Sequence, residues 1–264
     1  MNVIRFCGGI GNQLFQYAFG SAQKANGIKV FYNTSWYDNP LNSIPPRPYR
    51  LDKFNTDICF SPISRQRCIR EASYNPNFLK LDNSNFLGYW QNLGYVESVV
   101  PKLKEEIWVK NEFCTTEYFN YRKDIEESDS IGIHVRRGDY VTHKTNVFNV
   151  LPLGYYQQAL SIVSEKESKI FVFTDDFKWC FKNFKQENHK QEIIFVDADE
   201  DYLDFELLKL CKHQIISNST FSWWAAFLNG NPDKKVVMPI QWRMDSAAQY
   251  EYTKGICPEG WIKI

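Results

Sequence analysis

The sequence predicts an α/β protein in two halves, the second built on a parallel sheet of doubly wound type. Three observations carry this. After residue 130, short apolar runs alternate with helical patterns. The chain opens on a strand, a glycine turn and a helix. Each polar cluster of note follows an apolar run, and so falls at the carboxyl end of an expected strand, where open α/β sheets bind their ligands. A chain of 264 residues makes one large domain or two small ones. The acidic, non-periodic stretch Asp124–Ser130 offers the best break, between residues 1–128 and 129–264.

Taken in order, Val3–Cys7 reads as a strand feeding Gly8-Gly9-Ile10-Gly11-Asn12-Gln13. Leu14, Phe15, Ala18, Phe19, Ala22 and Ala25 then recur at helical spacing up to Asn26-Gly27. Strand, glycine turn and helix bring free N–H groups and a helix dipole to an anion, although the glycines could equally serve a tight turn. Leu14 occupies the place of the last glycine of a dinucleotide fingerprint, and no P-loop lysine is present. Ile28–Tyr32 reads as a strand, the proline-rich Pro40–Tyr49 as a loop, and Phe86–Gln91 as an aromatic strand-to-loop junction. Tyr95–Trp108 reads as an amphipathic helix that Pro101 weakens or restarts. Beyond this the first half looks irregular.

The second half begins with I-G-I-H-V-R-R-G-D-Y at Ile131–Tyr140. Ile131, Ile133 and Val135 alternate as in a strand, and Gly138-Asp139 make a turn. After this stretch comes Pro152-Leu153-Gly154-Tyr155-Tyr156, then a helix to about Ser164. Lys169–Thr174 is a buried-type strand ending in Asp175-Asp176, and Glu192–Val196 a strand before the acidic loop Asp197–Asp201. Tyr202–Cys211 is helical. Gln214–Ser217 leads as a strand into Asn218–Leu228, a second strand-to-helix junction, and Lys235–Pro239 is the last strand.

Composition narrows the function. Hydrophobic content of 44% with 23% charged residues is that of an ordinary soluble globular protein. Zero net charge and a pI near 6.9 speak against a nucleic-acid binder. The aromatic share of 16% is high, which suits a sugar or nucleobase site as well as a thick core. The start lacks a signal-peptide pattern and no run has the length of a membrane span, so a cytoplasmic protein is expected. Seven scattered cysteines and four histidines form no metal-binding pattern. Asn33-Thr34-Ser35 and Asn218-Ser219-Thr220 match the glycosylation tripeptide but carry no weight without secretion.

Arg136 and Arg137 at a strand end suit phosphate, because guanidinium is permanently charged and presents a planar fork to paired oxygens. Solvated arginines paired to Asp139 are an equal reading. No G-x-S-x-G elbow and no carboxylate cage for a divalent metal are present. Phosphate held by arginine and backbone without metal points to a nucleotide-sugar transferase.

H-V-R-R-G-D-Y-V at residues 134–141 resembles the arginine motif of the α-1,2-fucosyltransferases of glycosyltransferase family 11. G-G-I-G-N-Q-L-F-Q-Y-A from Gly8, G-Y-W-Q from Gly88, F-T-D-D from Phe173 and C-K-H-Q-I-I-S-N-S-T-F-S-W-W-A from Cys211 resemble the family in the same order. Lacking the membrane anchor of the animal enzymes, the chain is similar to bacterial members. The resemblance implies a GT-B-like fold of two Rossmann-like halves, with the active site in the cleft between them. It makes residues 1–128 the acceptor side and 129–264 the GDP-sugar side, with the extreme C-terminus free to pack back on the first. It also implies inverting, metal-independent transfer of L-fucose from GDP-β-L-fucose to the 2-hydroxyl of a terminal galactose, in surface-polysaccharide synthesis, with room for association with the inner membrane. No cofactor is implied; GDP-fucose is a co-substrate. The same machinery with another GDP-sugar, or a binding module without turnover, are the alternatives.

Arg136 would grip the β-phosphate, and Asn12, His134 and Asp139 would complete the catalytic set, Asp139 as base or as partner of the arginines. Gly9, Gly11, Arg137, Asp175, Asp176, Asn218, Ser219, Thr220, Phe221 and Ser222 would bind the donor. Tyr89, Trp90 and Gln91 would meet the acceptor, and Trp223 or Trp224 could join a sugar platform. His213 and His143 read as structural or surface residues.

Overall fold

The computed structural model describes residues 1–43, 45–63, 66–143, 147–245 and 253–264. They divide into two compact units, Met1–Lys110 with Lys254–Cys257, and Asn111–Thr253 with Pro258–Ile264.

The first unit contains β1 (Asn2–Arg5), α1 (Ile10–Ala25), β2 (Val30–Asn33), β3 (Arg67–Arg70), β4 (Ser84–Leu87) and α2 (Val100–Glu106). The strands form a parallel sheet in the order β2-β1-β4-β3. Helix α1 is buried on almost every side, so its glutamines must find partners inside. Gln13 donates to the carbonyls of Gly8 (3.0 Å) and Pro48 (2.9 Å) and accepts from the Arg50 N–H. Gln16 donates to the Gly88 carbonyl at 2.9 Å and accepts from the Cys7 N–H. These two side chains tie the proline-rich loop and the G-Y-W-Q loop to one helix. Gly27 ends α1 at φ +81, a backbone conformation that glycine reaches without strain.

The first half is more regular than its sequence suggests. Strand β3 is mostly exposed at the sheet edge, so no burial pattern marks it. Residues from Leu93 to Val99 make two 3-10 turns, and the helix proper starts at Val100 with Pro101 in its first turn, where a missing N–H costs nothing.

The second unit holds α3 (Thr116–Glu126), β5 (Ser130–Val135), α4 (Gly138–Thr142), α5 (Leu153–Val163), β6 (Lys169–Thr174), α6 (Phe177–Asn183), β7 (Glu192–Phe195), α7 (Asp201–Leu210), β8 (His213–Ile215), α8 (Thr220–Leu228), β9 (Val236–Met238) and β10 (Ile262–Lys263). All strands are parallel, in the order β7-β6-β5-β8-β9-β10. That is the Rossmann order, which reverses direction between the first strand and the fourth, here β5 and β8. Strand β10 is an addition to the sheet that the two-residue run Ile262–Lys263 does not announce.

The acidic stretch 124–130 is not a boundary. The break falls at Lys110, and α3 belongs to the second unit. The acids there have local tasks. Asp124 pairs with Lys169 at 2.6 Å and Asp129 with Lys212 at 2.5 Å, while buried Tyr118 donates to Glu206 of α7 at 2.6 Å.

Every residue of β5 is buried, as expected of a central parallel strand. Ile131, Ile133 and Val135 face a core with Tyr155, Tyr156, Ala159 and Val163 of α5. Gly132 points the other way, where a Cβ would come within 2.6 Å of Leu208 and 3.0 Å of the Cys211 sulfur. His134, two residues on, therefore also faces the α7 and α8 side. No helix among the described residues is long and apolar enough to cross a membrane.

Candidate active site

Strand order brings three polar clusters of the second unit side by side. Residues 134–139 span the end of β5 and the turn after it, Asp175-Asp176 follow its neighbour β6, and Ser217–Ser222 follow its other neighbour β8. The strand order reverses between β5 and β8, so this is the place where a doubly wound sheet leaves a crevice.

Arg136 is held from two sides. One terminal nitrogen bonds Asp139 and the other Asp175 at 2.7 Å, and the guanidinium carbon lies 5.5 Å over the Tyr140 ring. Burial opposes its charge, but Asp175 and Asp139 outweigh that cost and raise its pKa above the ordinary arginine value. Arg137 lies 4.4 Å over Trp179 and pairs with Asp176 at 3.2 Å. Asp175 also accepts the backbone N–H groups of Arg137 (2.7 Å) and Gly138 (3.0 Å). A Cβ at Gly138 would lie 2.6 Å from the Asp175 carboxylate, so the close approach requires glycine.

His134 is 6% exposed. Its Nδ1 shares a 2.7 Å hydrogen bond with Ser217, and its ring stacks on Phe221 at 5.1 Å. Burial, and then the charge of Arg136, push its pKa down to about 3, so the imidazole is neutral at physiological pH. Ser219 caps α8 by accepting the Phe221 N–H. Ser219, Thr220 and Phe221 are half-buried.

Several expected ligands have structural work instead. Asn218 is buried and donates to the carbonyls of Asn149 (2.7 Å) and Trp242 (2.8 Å), while its own carbonyl accepts from Tyr140. Ser222 is fully buried beside Ser217. Asp139, 4% exposed, is the partner of Arg136. Asp176 caps α6 by accepting the Trp179 N–H at 3.0 Å, besides holding Arg137. Trp223 and Trp224 are both fully buried and belong to the core. His213 accepts the Lys235 N–H at 3.0 Å and His143 is exposed, as the sequence suggested.

In the first unit the turn after β1 is tight. Gly8 has φ +78, and a Cβ there would lie 2.4 Å from the Asn12 amide. Gly9 is the N-cap of α1, which has no side-chain cap, and Gly11 is buried in the first turn. Gln91 donates to the Asn12 carbonyl oxygen at 2.7 Å. Trp90 is fully buried, stacked on Phe19 at 4.4 Å, and cannot be the exposed sugar platform its position suggested; Tyr89 keeps 46% of its surface exposed. No group of three His, Cys, Asp or Glu among the described residues is placed to hold a metal ion.

The sequence reading missed Glu71, whose carboxylate accepts the N–H groups of Tyr89 and Trp90, and Tyr140, which bridges the Arg136 loop to Asn218. Nothing local marks Glu71. Tyr140 was within the quoted motif but had no assigned task.

The description "Glycosyl transferase family 11" matches residues 61–264, over three quarters of the chain. The chain belongs to glycosyltransferase family 11. Among relatives of this family 11 protein, an alpha-1,2-colitosyltransferase of Escherichia coli is 28% identical over 99% of this chain and 98% of its own length. The O-antigen biosynthesis glycosyltransferase WbnK, also of Escherichia coli, is 28% identical over 89% of this chain and 92% of its own. The galactoside 2-alpha-L-fucosyltransferase SEC1 of Bos taurus is 36% identical, but over 39% of this chain and 29% of its own length. Among solved structures, the NodZ alpha-1,6-fucosyltransferase soaked with GDP-fucose superposes with a TM-score of 0.52 at 16% identity, covering 86% of this chain and 92% of that one. The family 11 glycosyltransferase thus has the GT-B fold, α/β with a parallel sheet in each half.

Proposed function

We propose that this family 11 glycosyltransferase moves L-fucose from GDP-β-L-fucose to the 2-hydroxyl of a terminal galactose, with inversion and without a metal ion. The observation that carries the proposal is Arg136, fixed by two carboxylates and an aromatic ring at the carboxyl end of β5, beside the reversal point of a Rossmann-ordered sheet. As the bond from sugar to phosphate breaks, positive charge grows on the sugar ring and negative charge on the departing GDP. A guanidinium aimed at that phosphate therefore stabilises the transition state more than the ground state. Arg137 and the half-buried start of α8 at Ser219–Phe221 supply further donors, and Asn12 with Gln91 serves the reacting sugar.

His134 is neutral and already engaged with Ser217, so it orients the site and does not carry the proton. Asp139 is committed to Arg136, so we assign the acceptor proton to a phosphate oxygen of the donor. One relative named for O-antigen biosynthesis supports a role in surface-polysaccharide assembly.

A second reading, a colitosyl donor, rests on the relative that aligns over 99% of the chain and carries that name. One experiment separates them. GDP release is measured from GDP-fucose and GDP-colitose side by side, with EDTA, against lactose and N-acetyllactosamine, for the wild type and Arg136→Lys. Acceptor-dependent release from GDP-fucose that survives EDTA and drops in the variant supports the first reading. Preference for GDP-colitose, or dependence on added Mg²⁺ or Mn²⁺, overturns it.

A further inference from the structure

The loop that presents Gln91 is held in an unfavourable backbone conformation, and the groups holding it belong to neither the donor set nor the acceptor set. Trp90 has φ +59, rare for a large side chain and costly unless the surroundings impose it. Two anchors impose it. The indole is fully buried among Phe19, Phe78, Phe86 and Tyr95. On the backbone side, one carboxylate oxygen of Glu71 accepts the N–H groups of Tyr89 (2.7 Å) and Trp90 (2.8 Å), and the Gln91 N–H faces the same carboxylate. Glu71 lies directly after β3, and its own N–H donates to the Leu87 carbonyl at the end of β4. Gly88 packs so closely that a Cβ there would lie 2.5 Å from the Glu71 Cβ. Burial works against the Glu71 charge, which makes the three N–H groups its compensation within the fold.

The product of this clamp is the position of Gln91. Its amide donates to the Asn12 oxygen at 2.7 Å, while Gly8 closes on the Asn12 amide nitrogen. In this arrangement the Asn12 oxygen meets the Gln91 amide and the Asn12 nitrogen lies against Gly8, so both ends of the side chain are held in place.

We propose that Glu71 is a positioning residue for the transfer step: by anchoring the Tyr89 and Trp90 N–H groups it aims Gln91 at Asn12 and so sets the Asn12 amide. This rests on the reading of Asn12 as part of the transfer machinery. A carboxylate that acts through geometry affects kcat more than donor KM, since misplacement of a reacting group by about 1 Å costs up to ~100-fold in rate.

The test is a double-mutant cycle with Glu71→Ala, Gln91→Ala and the pair, alongside Glu71→Gln. Glutamine keeps an oxygen in the clamp. Each Ala variant is expected to lower kcat about tenfold with donor KM little changed, the pair to fall no further than either alone, and Glu71→Gln to recover most of the rate. Additive losses, or a lower melting temperature with kcat per folded molecule intact, overturn the proposal. A second readout does not depend on turnover: the Asn12 side-chain amide signals in a ¹⁵N NMR spectrum. Glu71→Ala should shift them as Gln91→Ala does. If the wild type turns over no GDP-sugar, the transferase reading fails while these signals still decide the clamp. Unmoved Asn12 signals in Glu71→Ala refute it.

Discussion

His134 gives a prediction whose size can be worked out. It faces the α7 and α8 side of β5, stacks on Phe221, bonds Ser217 and lies beside the charge of Arg136. Its pKa is lowered from 6.5 to about 3, with burial the larger cause. A depressed folded-state value means that the unfolded chain takes up a proton below pH 6.5 that the folded chain refuses. The associated stability is fully present above pH 6.5 and is lost as the pH falls toward 3. The slope is about 1.4 kcal/mol per pH unit in that window, so going from pH 7.5 to pH 5 removes about 2 kcal/mol. His134→Gln does not titrate and keeps a polar end near Ser217. Chemical denaturation of both proteins at the two pH values cancels the other titrating groups. The advantage of the wild type over the variant should shrink by about 2 kcal/mol at pH 5, and the His134 ring carbons should keep neutral-imidazole NMR shifts there. A pH-independent difference, or a His134 signal that titrates between pH 6 and 7, would refute the buried-neutral assignment.

Other residues give further tests. Arg136→Lys replaces a planar fork that reaches two carboxylates by a single point charge, and should cut transfer by about 100-fold or more with a small change in melting temperature. Arg136→Ala should instead destabilise by about 3–5 kcal/mol in denaturant titration, because buried Asp139 loses its counter-charge. Trp90→Ala should cost about 3–5 kcal/mol of stability; an acceptor KM effect with unchanged melting temperature would restore Trp90 as a sugar contact. Glu206→Ala removes the buried carboxylate that faces Tyr118 and Lys209, the latter pushed down to about 8 by burial. Its melting temperature should fall, by less at pH 9 than at pH 7, because Lys209 then sheds the proton that Glu206 had compensated.

The second half was legible because it obeys strong local rules. Strands such as β5 and β6 are continuous apolar runs, and the longer helices between them have apolar periodicity, so the boundaries of these elements moved by a residue or two; the short α4, where a turn was expected, α6 and β10 went unannounced. The first half was not, since β3 is a short edge strand, and the loops around it are held by side-chain amides and by Glu71, whose partners lie 18 to 79 residues away. Such contacts leave no periodic trace. Site residues were found as a neighbourhood but not as individuals. Sequence pattern shows that Asn218 and Ser222 follow a strand; it does not show that they point into the protein. The same blindness made Trp90 look like a platform. An aromatic at a loop start reads identically whether it faces solvent or, as here, turns inward through a positive φ.

The charges around Arg136 bear on how such a site selects its ligand. Two guanidinium groups, Arg136 and Arg137, stand among three carboxylates, Asp139, Asp175 and Asp176, which is one formal negative charge in all. An incoming diphosphate would gain nothing from the net charge of that cluster. It gains from direction: the carboxylates hold the guanidinium groups still, so donors that remain need not reorganise when charge appears on the phosphate. A cluster with one net negative charge also attracts polyanions weakly, in keeping with a chain of zero formal charge. Discrimination would then reside in geometry rather than field strength. This is why the lysine variant, which keeps the charge and loses the fork, is the more informative substitution at Arg136.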